Sequence, residues 1–220
     1  MRNWKCLLPL ISLAILSLGC GSMVYLMKLG WHRASVAYHS VNIHEVLESP
    51  SVDPAVKEKI RFIQEVKRYG EENLGLKRTK TFTTYFEAAG PILQVVTACE
   101  KDRLRLRTWT FPLVGEVAYK GFFTEEDANR EKRRLEEEGL DTFLQSVCAY
   151  STLGWLRDPI YSPMLSWSHA ALANVILHEM THGTVYLRGR TGFNEQAATF
   201  IGNRGAIAFL SERLGGNSEE

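Results

Sequence analysis

The sequence predicts an α+β fold on three observations: two stretches with apolar residues at helical spacing, β-rich runs between them, and no repeat or low-complexity segment. Read along the chain, the layout is helix, hairpin, helix, strand and then two helices, a helical body with a small antiparallel or mixed sheet. Its 220 residues are 45% hydrophobic and 23% charged, enough for one catalytic-size domain and little else. The 26 basic and 25 acidic residues leave a formal charge of +1, so no surface is marked for phosphates and a nucleic-acid partner is not expected.

Arg2 and Lys5 precede an uncharged run from Leu7 to Gly19, the layout of a secretory signal. Gly19-Cys20 at its end resembles a bacterial lipoprotein signal, in which Cys20 becomes the acylated N-terminus, although Ser17 and Leu18 depart from the usual box. The alternative is an uncleaved anchor, because the apolar run continues through Met27 before Lys28. On either reading residues 1–19 are a signal peptide or membrane anchor, 20–50 a membrane-proximal segment and 51–220 the working domain. The chain is then held in the cell envelope, facing the periplasm or exterior. Cys99 and Cys148 are permitted to pair in that oxidising space, but both have strand-like flanks, so pairing would need adjacent strands in register.

Tyr25 to Leu47 reads as a helix carrying His32, His39 and His44, whose spacings place no i,i+4 pair on one face and so do not suggest a metal. Asp53-Pro54 opens a clear helix as N-cap and first-turn proline, with Val56, Ile60, Ile63 and Val66 on one face and Gly75 as its stop. Ile92–Ala98 and Leu104–Phe111 read as a hairpin around the polar turn 100–103. Thr124 caps the next helix, which has an acidic first turn, a charged wet face from Arg130 to Glu138, and Gly139 as its end. Thr142–Tyr150 returns to strand character, and Arg157-Asp158-Pro159 breaks into a loop.

Ser168 to Leu187 is helical, with Leu172, Val175, Ile176 and Val185 as an apolar stripe, and it contains His178-Glu179-Met180-Thr181-His182. Residues four apart stack on one helix face, so two imidazoles there can reach one ion. Glu179, offset by one position, is carried beside the pair, where its carboxylate can accept a proton from an attacking water without taking a coordination place. Independent draws from this composition would give the pattern about once in seventy chains, so a third ligand is required as support. Arg188 occupies the position where a metzincin would place its third histidine. Beyond Gly183, Gly189 and Gly192, Phe193-Asn194-Glu195 begins a second helix that Asn194 can cap, and an antiparallel return would turn Glu195 toward both histidines. Asp158 and His169 are reserves, the latter two and a half turns from His178. The expected site is thus one Zn2+ held by His178, His182 and Glu195, with Glu179 as general base.

His178-Glu179-x-x-His182 followed by Asn194-Glu195 resembles the gluzincin metallopeptidases. The longer context is Tyr119-Lys-Gly-Phe-Phe123, Tyr150-Ser-Thr-Leu-Gly-Trp155 with Asp158-Pro159, and Phe193-Asn-Glu195 with Ala198-Thr-Phe200. It is similar to a bacterial, lipoprotein-like putative aminopeptidase family over nearly the whole chain from Cys20. That resemblance implies a zincin-like fold around an active-site helix, zinc on His178, His182 and Glu195, Glu179 as base, and a peptide or protein substrate.

Only 25 residues follow Glu195, none of them Tyr or His, whereas gluzincins take a transition-state donor from a later lobe. Either the chain is truncated or its donor comes from upstream, from Tyr119, Tyr150, Tyr161 or Tyr186. Tyr186 follows His182 by four and would share its face; Tyr150 sits at a strand end. An aminopeptidase also needs an acid for the substrate's α-ammonium, and Glu87, Glu116 and Asp158 are the choices. The rival reading is a non-catalytic envelope lipoprotein or adaptor with a structural metal site.

Overall fold

Capping side chains set most helix boundaries. The computed structural model describes residues 20–111, 115–148, 152–154 and 156–215, and it divides into two compact units, one running through His39 and one from Ser40 onward. The described part of the first unit is helix α1 (Cys20–His39). The signal or anchor expected at 1–19, and the acylation expected on the Cys20 side chain, lie outside the described residues. Among the described residues no helix is long and apolar enough to cross a membrane.

The helix expected to run on to Leu47 breaks at Ser40. Val41–Asn42 form strand β1 and Ile43–Glu48 form helix α2, whose N-cap Asn42 accepts from the His44 amide at 3.0 Å. An asparagine able to satisfy a free amide in this way favours a helix start over a helix interior. Helix α3 (Pro54–Glu72) begins as its sequence requires, with the Asp53 carboxylate accepting from Ala55 N at 2.8 Å. It buries Ile60, Phe62, Ile63 and Val66 and ends at Asn73, two residues before Gly75.

Three small sheets follow. Strand β2 (Thr84–Phe86) joins β1 antiparallel and β8 (Ile160–Tyr161) parallel. Strand β3 (Leu93–Glu100) lies between β6 (Lys120–Phe122) and β7 (Leu140–Val147), antiparallel to both. Strands β4 (Trp109–Phe111) and β5 (Gly115–Val117) form a separate antiparallel pair. The hairpin expected between 92–98 and 104–111 is therefore not the sheet that forms. The chain does turn back after Glu100, with Arg107 N bonded to Ala98 O at 2.8 Å, but only the Cys99–Leu106 bridge persists. Strand β3 instead pairs with β7 along its full eight residues, and helix α4 (Glu125–Glu137) packs on that sheet with Ala128 and Leu135 buried. Thr124 caps α4 as expected, and Gly139 takes the left-handed φ of 84° that closes it.

The β3–β7 register also decides the cysteines. Cys99 faces Asp141 at one end of the ladder, while Cys148 follows Val147, which faces Leu93 at the other. Six residues of strand, about 20 Å, separate the two ends, and both thiols are free.

The core lies around helix α5 (His169–Thr184), capped by Ser168. Leu172, Ala173, Ile176 and Leu177 are fully buried, and α5 packs between α3 and helix α6 (Thr191–Leu214).

Candidate metal centre

His178 and His182 stand one turn apart near the end of α5, and their Nε2 atoms are 3.1 Å apart. Glu195 lies in the second turn of α6, with Oε2 at 3.5 Å from His178 Nε2 and Oε1 at 3.6 Å from His182 Nε2. Among the described residues these three form the one group of His, Cys, Asp or Glu whose donor atoms all lie within 4.8 Å of one another.

Backbone contacts hold Glu195 in place. Helix α6 starts at Thr191, not at Asn194, so Asn194 does not cap it. Its buried side-chain amide instead clamps the connector, accepting from Leu187 N and donating to Leu187 O, both at 2.8 Å. Thr191 Oγ1 donates to Glu116 O at 3.0 Å and ties α6 to β5. Gly202, two turns beyond Glu195, lets α6 approach α5 closely: a Cβ there would lie 2.9 Å from Asn174 O and 3.2 Å from His178 Cβ. Gly202→Ala is therefore expected to cost about 1–3 kcal/mol in denaturant unfolding, since the carbonyl cannot turn aside. Gly205→Ala meets only the methyl tips of Leu177 and Leu74, and the better helix propensity of alanine, about 1 kcal/mol, offsets their displacement. Equal losses at the two positions would show that α6 is free to move.

The donor set fits a divalent ion of the zinc type. Two ligands held at 2.0–2.1 Å by a tetrahedral ion are about 3.3 Å apart, close to the separations found here. The two imidazoles hold the Glu195 carboxyl down to about 2 by hydrogen bonding, with burial opposing them. Burial pushes the Glu179 carboxyl up to about 7; His178 opposes, and the carboxylates of Glu195 and Asp158 add to the rise. One feature departs from a completed zinc site: His182 Nδ1 is buried with no hydrogen-bond partner among the described residues. Nothing described there orients that ring from behind.

Of the three described tyrosine candidates, Tyr119 and Tyr186 feel the charge of this centre. Tyr119, between β5 and β6, has its phenol raised to about 12 by burial and by the negative charge of Glu195, Tyr186 and Glu179. Tyr186 is raised by burial and by Glu195, although α5 ends at Thr184 and Tyr186 therefore follows the helix instead of sharing the His182 face. Tyr161 is buried on β8 against Phe86, and Tyr150 lies outside the described residues.

The reserve ligands are engaged elsewhere. His169 packs against Phe62 with ring centroids 4.4 Å apart and the planes tilted by 51°, and Asp158 is buried, accepting from Thr152 N and Oγ1 at 2.9–3.0 Å. Glu87 accepts from Tyr85. Glu116 lines an open groove of about 440 Å³ together with Thr108, Val117, Ala118, Thr191 and Phe193, two residues from Glu195. Spacing alone gave no sign of the clamp at Asn194 or of the contact at Gly202; the run of small residues Ala198, Gly202, Gly205 and Ala206 is the trace the latter leaves in the sequence.

No curated protein and no solved structure matches the chain. The family model described as putative aminopeptidase matches residues 24–220, nearly its whole length, and the chain belongs to the putative aminopeptidase family.

Proposed function

We propose that the chain is a zinc-dependent peptidase of zincin-like fold, held in the cell envelope through its N-terminal segment and trimming peptides from their amino end. The observation that supports this reading best is the meeting of His178, His182 and Glu195 beside the desolvated Glu179 carboxyl. His178, His182 and Glu195 would hold one ion. When bound, zinc supplies Lewis-acid chemistry, polarising a peptide carbonyl and acidifying water. Glu179 takes the proton of the attacking water and passes it to the leaving amine; burial, which raises its affinity for protons, suits it to both transfers near neutral pH.

Tyr119 supplies the transition-state donor. Its phenol stays protonated beside two carboxylates and can donate to the carbonyl oxygen as charge develops there. Tyr119→Phe is expected to lower kcat by roughly 10²–10³-fold with little change in KM or zinc content. A kcat within a few-fold of the parent moves the donor role to Tyr186.

For the amino terminus, Glu116, which accepts from Thr108 Oγ1, is the acid lining the groove that Phe193, two residues from Glu195, also lines; Asp158 is buried on Thr152 and Glu87 accepts from Tyr85. The test uses purified, zinc-loaded chain on amino-acid anilides and internally quenched peptides, with and without chelator. Chelator-sensitive cleavage that is lost when the substrate amine is acetylated fits the proposal. Cleavage that survives acetylation means an endopeptidase, and no cleavage by a metal-loaded sample means no peptidase.

A further inference from the structure

We infer that the tongue formed by residues 100–107 dips into the interfacial layer of an anionic lipid bilayer. After its first turn the tongue alternates cations with leucines, Arg103-Leu104-Arg105-Leu106-Arg107. Three contacts hold it to the end of β3: Cys99 Sγ donates to Arg103 O at 3.0 Å, Glu100 N to Arg105 O at 3.2 Å and Arg107 N to Ala98 O at 2.8 Å. Arg105 and Arg107 thus lie opposite Glu100 and Ala98, and Leu106 lies opposite Cys99. Ala98 also faces Thr142, which bonds Glu136 of α4, so the two arginines are on the face of the sheet that α4 covers. Side chains alternate along an extended segment, which sets Leu104 and Leu106 on the other face. Leu104 is 103% exposed, as open as in an unfolded chain, and Leu106 is 53% exposed.

Charge and alternation together select lipid as the occupant. Lys101, Arg103, Arg105 and Arg107 stand against Glu100 and Asp102, a net charge of +2 within the tongue. The guanidiniums of Arg103 and Arg105 lie 3.8–3.9 Å from Glu100, and that of Arg103 is 3.9 Å from Asp102, too far for hydrogen bonds. Both arginine side chains are mostly exposed, so they can turn to other anions without breaking a buried pair. Asp141 faces Cys99 from the far side of β3. A soluble acidic peptide would meet the guanidiniums and leave Leu104 in water, while an apolar pocket would strand the guanidiniums. A bilayer interface satisfies both at once, with phosphates for the arginines and acyl chains for the leucines.

The test places one added indole at the tip, Leu104→Trp in the full-length protein, on phosphatidylcholine–phosphatidylglycerol vesicles brominated at shallow acyl positions. Subtracting the parent spectrum isolates that indole. The expected result is a blue-shifted emission that the bromines quench and aqueous iodide quenches little. Each cation near an anionic surface is worth about fivefold in partition, so adding Arg105→Gln and Arg107→Gln is expected to lower the ratio of inserted to withdrawn tongue roughly 25-fold, with circular dichroism unchanged. Brominated phosphatidylcholine alone is expected to quench little. Iodide quenching without bromine quenching on the mixed vesicles leaves the tongue in water and overturns the inference. Shielding from both quenchers puts protein on Leu104, and bromine quenching that persists without phosphatidylglycerol or without the two arginines shows insertion that needs no anion; either result also overturns it. In the parent, amides of residues 101–107 are expected to exchange hydrogen more slowly on the mixed vesicles than on phosphatidylcholine alone, and equal exchange counts against the inference.

Discussion

Glu179→Gln is expected to lower turnover by roughly 10²–10⁴-fold, the usual worth of a positioned general base, while bound zinc stays at the parental level. The substitution keeps the volume and hydrogen-bonding reach of the side chain but removes its ability to take a proton. Because Glu179 is one residue on from His178, it sits beside the ligand pair without being part of the three-donor cluster, so the two readouts separate. Steady-state kinetics and metal analysis on the same preparation check both. A chain that merely carries a structural ion would show no change in whatever it does. An enzyme that lost its metal together with its activity would show that Glu179 holds the site together and is not its base.

The parts of the fold governed by local chemistry were legible in the sequence. Asp53, Thr124 and Ser168 each accept from a first-turn amide where their side-chain chemistry says a helix must start. The i,i+4 spacing of His178 and His182 needed only a helix to bring the rings together. Sheet pairing was not legible, because strand partners are chosen by burial across long stretches of chain. Leu104–Phe111 has the composition of a partner for β3, yet Leu140–Val147 takes that place and Trp109–Phe111 goes to Gly115–Val117. The six strands of two or three residues are too short for any alternation to register. For the site, the two helices and their antiparallel return were enough to expect Glu195 near the histidines. The choice among the tyrosines depended on the course of the β5–β6 connection, which no spacing encodes.

Glu195→Ala is expected to abolish most of the stabilisation that zinc gives the protein while leaving the metal-free protein nearly as stable as before. The Glu195 side chain is 46% exposed, so its ion pairs with the two histidines contribute no more than about 1 kcal/mol to folding. Its contribution to metal binding is of another order, because even outer-shell partners of metal ligands are worth 10–100-fold in affinity. At zinc one hundred times Kd, the bound ion stabilises the parent by about 2.7 kcal/mol; a Kd weakened about a hundredfold leaves about 0.4 kcal/mol at the same concentration. Denaturant unfolding of both proteins with chelator and with zinc measures the two differences directly. If zinc stabilises the variant as much as the parent, the ion is held without Glu195 and the three-ligand centre is wrong. If instead the metal-free variant is several kcal/mol less stable, the carboxylate serves chiefly to pin α6 to α5, and its closeness to the two rings is a packing contact. The tie of Asn194 to Leu187 and the seating of Gly202 on Asn174 already anchor α6 on both sides of Glu195, so the loss is expected to fall on the metal alone.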